Sequence, residues 1–372
     1  MENKFFKNIK RNFGFGFMRL PMSGEEVDYE ETTKMVDTFM ENGFNYFDTA
    51  HIYIGGRSET TLRDCLVNRY PREEFILVNK LSNSNFKKEE EIRPLFESQL
   101  EACGVDYFDF YLMHAQNRDY FEKYKKCRAY ETALELKKEG KVKHVGLSFH
   151  DKAEILDKIL TEYPELEVVQ IQLNYLDYDA PNVEARKCYE VCVKHNKPVI
   201  IMEPVKGGHL VNFTDEVQQI FDELEGGSNA SYAIRFAAGF DNVMMVLSGM
   251  SNMEQMQDNI SYMKDFQPLT EKEQAAVWRV AELIKEQNSI PCTACRYCVD
   301  GCPKKIAIPD IFADLNAKKV YRDWDSEDYY AQHTKDGGKA SDCIKCGKCE
   351  NVCPQHLEIR KLLEEVAEVF DK

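Results

Sequence analysis

Phe44-Asn45-Tyr46-Phe47-Asp48-Thr49-Ala50-His51-Ile52-Tyr53 is the stretch on which the reading of this 372-residue chain turns. Apolar and aromatic side chains run up to Asp48, as in a buried strand, and a loop follows. An acid and a phenol therefore lie five residues apart at the carboxyl end of a strand. In a barrel of alternating strands and helices, that is the end that carries the chemistry.

Runs of the same kind recur along the chain. With 45–48 they are 13–18, 75–80, 108–114, 142–148, 168–174, 199–203 and 243–248. Each is nearly continuous in apolar residues, as parallel strands buried on both faces must be. Helix-length stretches separate them. Residues 29–42 place Val36, Phe39 and Met40 on one face, and residues 89–103 do so with Ile92, Leu95, Phe96, Gln99 and Leu100. Gly43, Gly104 and Gly140 fall where helices should end. Eight strand–helix units predict the α/β class and a (β/α)8 TIM barrel. The competing fold is a doubly wound open sheet, which carries a glycine-rich first turn. Gly14-Phe15-Gly16 is only a fragment of one, and no helix start follows it.

The rhythm breaks near residue 267. Pro268-Leu269-Thr270-Glu271 reads as a linker into a helix, with Thr270 as N-cap and Glu273 closing a capping box. That helix carries Val277, Val280, Ala281 and Ile284 and stops before Pro291. A polar middle at 321–338 follows, and a last amphipathic helix has Ile359, Leu362, Leu363, Val366 and Val369 on one face. The division expected is a barrel over 1–267 and a smaller, mostly helical domain over 268–372.

The formal net charge of −16 argues against nucleic acid and anionic membrane as partners, because both are polyanions. No run of about 18 apolar residues exists, so no membrane span is expected. Lys4, Lys7, Lys10 and Arg11 precede no apolar core, so a secretory signal is not expected either. Of 13 cysteines, eight fall in two tight runs after residue 290. Clustered spacing in an intracellular chain indicates metal rather than a disulfide framework, and the cytoplasm is the compartment expected.

Four chemistry-bearing residues sit at the ends of three consecutive predicted strands: Asp48 and Tyr53, then Lys80, then His114. Reducing a carbonyl by hydride requires a proton donor at the developing alkoxide. Tyrosine ionises near pH 10 and is a poor donor at neutral pH unaided. A lysine cation favours its phenolate, an aspartate can hold the lysine, and a histidine can orient the carbonyl oxygen. Taken singly, each residue is as well explained as a turn cap, a solvated charge or a satisfied polar side chain. Four in register at successive strand ends are not.

These segments resemble the aldo/keto reductases. Asp48-Thr49-Ala50-His51-Ile52-Tyr53, Val78-Asn79-Lys80 and Leu112-Met113-His114 match that family's tetrad segments in order and approximate spacing. The likeness continues through Gly146-Leu147-Ser148, Gln170 with Asn174-Tyr175, Glu203-Pro204 and Leu247-Ser248-Gly249-Met250, covering about 13–265. It implies Tyr53 as general acid/base, Lys80 and Asp48 as its tuning groups, and His114 as the residue that orients the substrate. It also implies NADP or NAD lying across the top of the barrel. The residues it points to for that cofactor are Arg19, Ser148, Gln170, Met202, Lys206, Asp258 and Asn259.

Several positions depart from the family pattern. Phe149 follows Ser148 where asparagine is common, and Met202 stands where an aromatic ring often stacks on the nicotinamide. Residues 249–263, where the family grips a 2′-phosphate, contain no Lys or Arg, and Gln255 stands about where an arginine would help. A strong preference for NADP is therefore not expected. Arg19 and Lys206 are the basic residues left for phosphate, each of them equally readable as a solvated loop charge.

The cysteine runs are Cys292-x2-Cys295-x2-Cys298-x3-Cys302-Pro303 and Cys343-x2-Cys346-x2-Cys349-x3-Cys353-Pro354. This is the spacing of bacterial two-cluster ferredoxins, whose fourth cysteine ligates the other cluster. Cys292, Cys295, Cys298 and Cys353 are assigned to one [4Fe–4S] cluster, and Cys343, Cys346, Cys349 and Cys302 to the other. Zinc sites pair their ligands differently. The 40 residues between the runs exceed a compact ferredoxin, so the segment resembles the helical ferredoxin type. Cys65, Cys103, Cys127, Cys188 and Cys192 read as core residues.

Two functions are compatible with these features. One is an aldo/keto reductase-type oxidoreductase acting on a small carbonyl or alcohol. The other is an electron-transfer protein fed by a ferredoxin-like carrier, with the barrel as docking or cofactor scaffold. Nicotinamide moves electrons in pairs and each cluster moves one, so direct wiring between them needs a flavin or its equivalent. The sequence carries no flavin signature, and a flavin on top of the barrel is not excluded by it.

Overall fold

The computed structural model describes residues 3–180, 183–224, 226–286, 290–319 and 326–371. Eight parallel strands close into a barrel: Phe13–Gly16, Tyr46–Asp48, Ile76–Leu81, Phe108–Gln116, Val142–Phe149, Val168–Gln172, Val199–Met202 and Val243–Ser248. All eight predicted strands are present. The first strand closes the ring, with Phe13 opposite Val246 on the eighth strand and Gly14 opposite Tyr46 on the second.

The barrel is filled rather than hollow. Tyr46, Val78, Phe110, Leu112, Val168 and Ile200 belong to one buried cluster inside it, with Phe5 and Phe6 packed against them. Each such side chain contributes about 1.5–3 kcal/mol by leaving water. The filling sets one strict requirement. A Cβ on Gly146 would lie 2.4 Å from the carbonyl oxygen of Val168, so no larger residue fits there without moving backbone.

Local rules set the helices around the barrel. Asp28 accepts from the Glu31 amide at 2.9 Å and opens helix Tyr29–Glu41. Gly43, Gly104 and Gly140 follow helices with φ of 81°, 69° and 80°, a conformation that glycine adopts without a Cβ clash. A two-stranded ribbon, Met22–Ser23 with Glu26–Val27, has no counterpart among the predicted strands. Its strands are two residues long and mostly exposed, so no apolar alternation marks them.

The chain divides into two compact units. The first comprises Met1–Asp179, Glu184–Pro204 and Ala230–Leu269; the second comprises Ala180–Val183, Val205–Asn229 and Thr270–Lys372. The second unit is helical among its described residues, with helices Asp215–Asp222, Glu271–Glu286, Ile308–Lys319, Ser326–His333 and Ile359–Phe370. Thr270 and Glu273 form the expected capping box. Ile306, Ile311, Phe312, Leu315, Leu363 and Val366 make its core. Asn316 and Ile290 exchange a reciprocal pair of hydrogen bonds of 2.7 and 2.8 Å that anchors the chain just before Cys292. Within the polar middle, residues 321–325 lie outside the described residues. The rest begins with helix Ser326–His333, whose Tyr330 ring stacks on Phe370.

Candidate functional site

The barrel's strand ends bring the four tetrad residues together. Lys80 Nζ donates to Asp48 Oδ1 at 2.6 Å and to the Thr49 carbonyl at 2.8 Å. The same nitrogen is 4.9 Å from the centroid of the Tyr53 ring. The His114 ring meets that of Tyr53 edge-on, with centroids 5.8 Å apart, and its Nδ1 is 2.7 Å from Ser82 Oγ. All four side chains are buried. Residues just beyond these side chains hold unusual backbone: Ile54 after Tyr53 at φ 51°, and Ala115 after His114 at φ 52°. Strain of this kind persists where the surroundings over-determine it.

Burial dominates the protonation of the group. It pushes the Tyr53 phenol well above its ordinary value, helped by the charges of Asp48 and Glu203. It lowers Lys80 and raises Asp48, each against the pull of their ion pair. It pushes His114 well below the ordinary histidine value, with Lys80 and His150 adding to the effect. The site therefore presents a protonated phenol and a neutral imidazole side by side.

Behind Lys80 lies a polar network that the sequence patterns do not mark. The buried Glu59 carboxylate accepts from Asn79 Nδ2 at 2.8 Å and Gln99 Nε2 at 3.2 Å, and lies 2.8 Å from His51 Nδ1. Asn79 Oδ1 in turn takes the Lys80 amide at 2.8 Å. Glu59 thus braces the strand end that carries Lys80. Its only advance signal is that it follows Tyr53 on the short helix Arg57–Leu62, most of which is buried.

The residues expected to hold a nucleotide fall in four places. Ser148 and Gln170 are cross-strand partners, both buried. Ser148 Oγ accepts from the Ala115 amide at 2.7 Å, and Gln170 Oε1 has no hydrogen-bond partner among the described residues. Met202 ends the seventh strand opposite Gln172. Around the eighth strand, the Arg19 side chain packs beside Gly249, and Asp258 and Asn259 lie on helix Met253–Met263. Asn259 donates to Ser248 Oγ at 3.2 Å and accepts from the Tyr262 hydroxyl. Lys206 lies in the second unit, where its Nζ donates to Gln355 Oε1.

At the start of helix Met253–Met263, Gln255 Oε1 caps the Ser251 amide at 2.8 Å. The Met253 amide donates to Glu31 Oε1 at 3.1 Å. A carboxylate thus occupies a helix N-terminus, a place that otherwise favours phosphate.

In the second unit the eight clustered cysteines line two hollows. Cys292, Cys295, Cys298 and Cys353 line one, and Cys302, Cys343, Cys346 and Cys349 line the other. The two runs also repeat in backbone. Positive φ occurs at Ala294 and Lys345, at Arg296 and Gly347, and at Lys305 and His356, in each pair 51 residues apart. Such left-handed turns aim amide N–H groups inward, as cradles for anionic iron–sulfur groups do. Among the described residues, no three His, Cys, Asp or Glu side chains converge as they would on a single ion. Thiols spread around a hollow fit a cubane core, whose cysteine ligands stand farther apart than those of one zinc.

The aldo/keto reductase family profile matches residues 12–282. The chain belongs to the aldo/keto reductase family. A 4Fe-4S dicluster domain matches residues 291–358 of this family member. The chain is 27% identical over 242 residues to an aldo-keto reductase of Mycolicibacterium smegmatis, covering 64% of this chain and 81% of that one. It is also 27% identical over 217 residues to the NADH-specific methylglyoxal reductase of Escherichia coli, covering 53% and 62%. Among solved structures, the holo form of an aldo-keto reductase from Bacillus halodurans aligns with TM-score 0.59 at 23% identity, covering 72% and 91% of the two chains. One from Klebsiella pneumoniae, in complex with NADPH, aligns with TM-score 0.59 at 17% identity, covering 73% and 90%. These likenesses establish the barrel fold and the oxidoreductase family. No described helix is long and apolar enough to cross a membrane.

Proposed function

We propose that the protein reduces a small carbonyl, or oxidises the corresponding alcohol, with Tyr53 as proton donor and two [4Fe–4S] clusters held by the eight clustered cysteines. The observation that carries this reading is the buried contact set Asp48–Lys80–Tyr53–His114. A bound nicotinamide nucleotide supplies the hydride. As the carbonyl oxygen gains charge, the Tyr53 hydroxyl passes its proton to it. The Lys80 ammonium beside the ring offsets the phenolate charge left behind, and Asp48 keeps that ammonium in place. With the Ser82 hydroxyl donating to Nδ1, the neutral His114 carries its proton on Nε2 and can point it at the substrate oxygen.

Ser148 and Gln170 suit a carboxamide. The Ser148 oxygen already accepts from Ala115, which leaves its O–H as a donor, and Gln170 Oε1 is an unsatisfied acceptor. A carboxamide offers one oxygen and two N–H groups, so it complements both. Arg19, Asp258, Asn259 and Met202 remain the proposed flank of the nucleotide. Lys206 instead lies in the unit of the cysteine runs, donating to Gln355. Glu31 at the Met253 amide supports NAD over NADP, because a 2′-phosphate brought there would meet a carboxylate.

The clusters, when present, supply one-electron transfer. We assign that role to residues 268–372, with residues 205–229 added to their walls, and residues 1–267 otherwise to the barrel. A one-electron carrier is supported by the second hollow. Its Cys346 is exposed, Ile344 is 57% exposed, and its charged lining residues are Lys304, Lys348 and Arg360, all basic in a chain of net charge −16. This basic rim fits an acidic carrier. A flavin stays a candidate for the electron-splitting step, to be sought by binding assays with FMN and FAD.

The test is carbonyl reduction by NADH and NADPH in anaerobically purified Tyr53→Phe. Turnover equal to wild type would sink the proposed role of Tyr53. Replacing Cys295 and Cys346 together distinguishes the alternative, an electron-transfer protein with a barrel scaffold. Unchanged nicotinamide-driven turnover in that folded variant places the clusters outside the catalytic path.

A further inference from the structure

Lys206 is 1% exposed, and its Nζ donates to Gln355 Oε1 at 2.6 Å. Gln355 is also buried, stands two residues after Cys353, and lines the first hollow with Cys292, Cys295, Cys298 and Cys353. An ammonium has donors only, so it must face the amide oxygen, which turns the Gln355 NH2 group away from Lys206. The neighbouring residues press on the same cysteine run. A Cβ on Gly207 would lie 2.5 Å from the Thr293 carbonyl oxygen, and Gly207 has φ of 64°. His209 Nε2 lies 2.9 Å from the Cys292 carbonyl oxygen. Residues 205–229 accordingly belong to the same compact unit as the cysteines.

The pseudo-repeat of the two runs is broken at this point. The counterpart of Gln355, 51 residues earlier, is Lys304, which is exposed on the second hollow. An exposed cation is screened by water and salt, whereas a buried one is not. Four thiolates around an iron–sulfur core carry net negative charge, and adding an electron makes it more negative. A buried cation therefore favours the reduced form.

We propose that Lys206, acting through Gln355, is a positioning residue for the cluster of Cys292, Cys295, Cys298 and Cys353, and sets its reduction potential above that of the second cluster. With both clusters bound, an electron given to the second cluster by an acidic one-electron carrier would pass to the first, oxidising the one and reducing the other. This inference rests on the two-cluster reading of the cysteine runs.

The experiment is a redox-poised EPR titration of the anaerobically purified full chain, with iron content measured on every sample. Cys346→Ser marks which signal belongs to the second cluster. In Lys206→Met, the reduced-to-oxidised ratio of the first cluster at fixed poise should fall about tenfold, which is about 59 mV for a one-electron couple. The second cluster should not move, and Lys206→Arg should restore the wild-type value. A first-cluster potential unmoved in Lys206→Met at full iron content overturns the proposal. So does an equal shift of both clusters. If Lys206→Met loads no first cluster, Lys206→Arg decides: restored loading and potential support the role, and their absence overturns it. A wild-type chain that binds no iron overturns the two-cluster reading itself, a different failure from an unmoved potential.

Discussion

Lys80 Nζ lies 2.6 Å from Asp48 Oδ1, and both side chains are almost wholly buried. The carboxylate's other oxygen has no hydrogen-bond partner among the described residues. Burying two charges costs several kcal/mol per ion, and their attraction offsets this only with good geometry and further hydrogen bonds. A pair left half-satisfied is weak evidence of a purely stabilising role. The Lys80 nitrogen stands 4.9 Å from the centroid of the Tyr53 ring.

That relationship makes the first prediction. Tyr53→Phe and Lys80→Met should each lower carbonyl reduction by about 10²–10⁴-fold, the usual worth of a positioned acid. The drop should appear in kcat more than in KM, because neither residue gains by binding substrate in its ground state. Steady-state kinetics with an aldehyde series checks this; a change confined to KM would sink it.

The pH dependence follows from burial. The Tyr53 value lies above its ordinary one, so the acid stays loaded through neutral pH and reduction should be flat from about pH 6 to 9. Alcohol oxidation needs the phenolate and should rise with pH over the same range. His114 has the opposite shift in sign from a paired histidine. Its folded value is depressed, so the unfolded chain binds more protons below about pH 6.5 and stability falls as the pH drops there. His51 is raised by its hydrogen bond to Glu59, so its contribution is present at low pH and is lost as the pH rises through the folded value. Urea melts of His114→Gln and His51→Gln should show the two pH slopes changing in opposite directions.

Glu31 should act as a selectivity residue for the nucleotide. Glu31→Gln removes a charge from the start of helix Met253–Met263 and should tighten NADPH binding several-fold while leaving NADH nearly unchanged. Fluorescence titration with both nucleotides reads the ratio. Equal changes for the two would argue against a 2′-phosphate position there.

Ligand crossing between the cysteine runs has a simple chemical consequence. Cys353→Ala should degrade the cluster of the first run, and Cys302→Ala that of the second. Iron analysis with EPR of each variant would show one signal altered and the other kept. Loss of the signal of the mutated run itself would mean that each run closes its own cluster.

The basic rim of the second hollow predicts salt-sensitive electron entry. Lys304→Glu with Lys348→Glu should slow cluster reduction by an acidic one-electron carrier about tenfold at low salt, with the difference shrinking as salt rises. Stopped-flow reduction over an ionic-strength series reads it. An unchanged rate at low salt would place carrier docking elsewhere.

The strand ends were legible in the residues themselves. Parallel strands buried on both faces must be apolar throughout, so all eight announce themselves, and the residues that follow them fall on one rim. That alone puts Asp48, Tyr53, Lys80 and His114 at one end of the barrel. The cysteine spacing likewise marked out the eight thiols that line the two hollows, because a thiol triplet two residues apart has few uses. The ribbon at Met22–Val27 was not legible, since two strands of two residues each, only Val27 of them buried, carry no period.

What the tertiary structure alone decided are the contacts between residues distant in the chain. Glu59 reads as one more helix acid until Asn79 and Gln99 fold onto it. Glu31 and Met253 are 222 residues apart, and nothing local links an acid on one helix to the first amide of another. Lys206 follows the seventh strand, where its sequence position pointed to a nucleotide phosphate; folding sets it against Gln355, 149 residues away. Periodicity and spacing record what each segment needs from its immediate surroundings. A buried charge is answered by whichever side chain the fold brings near, and that pairing is made only once the segments have packed.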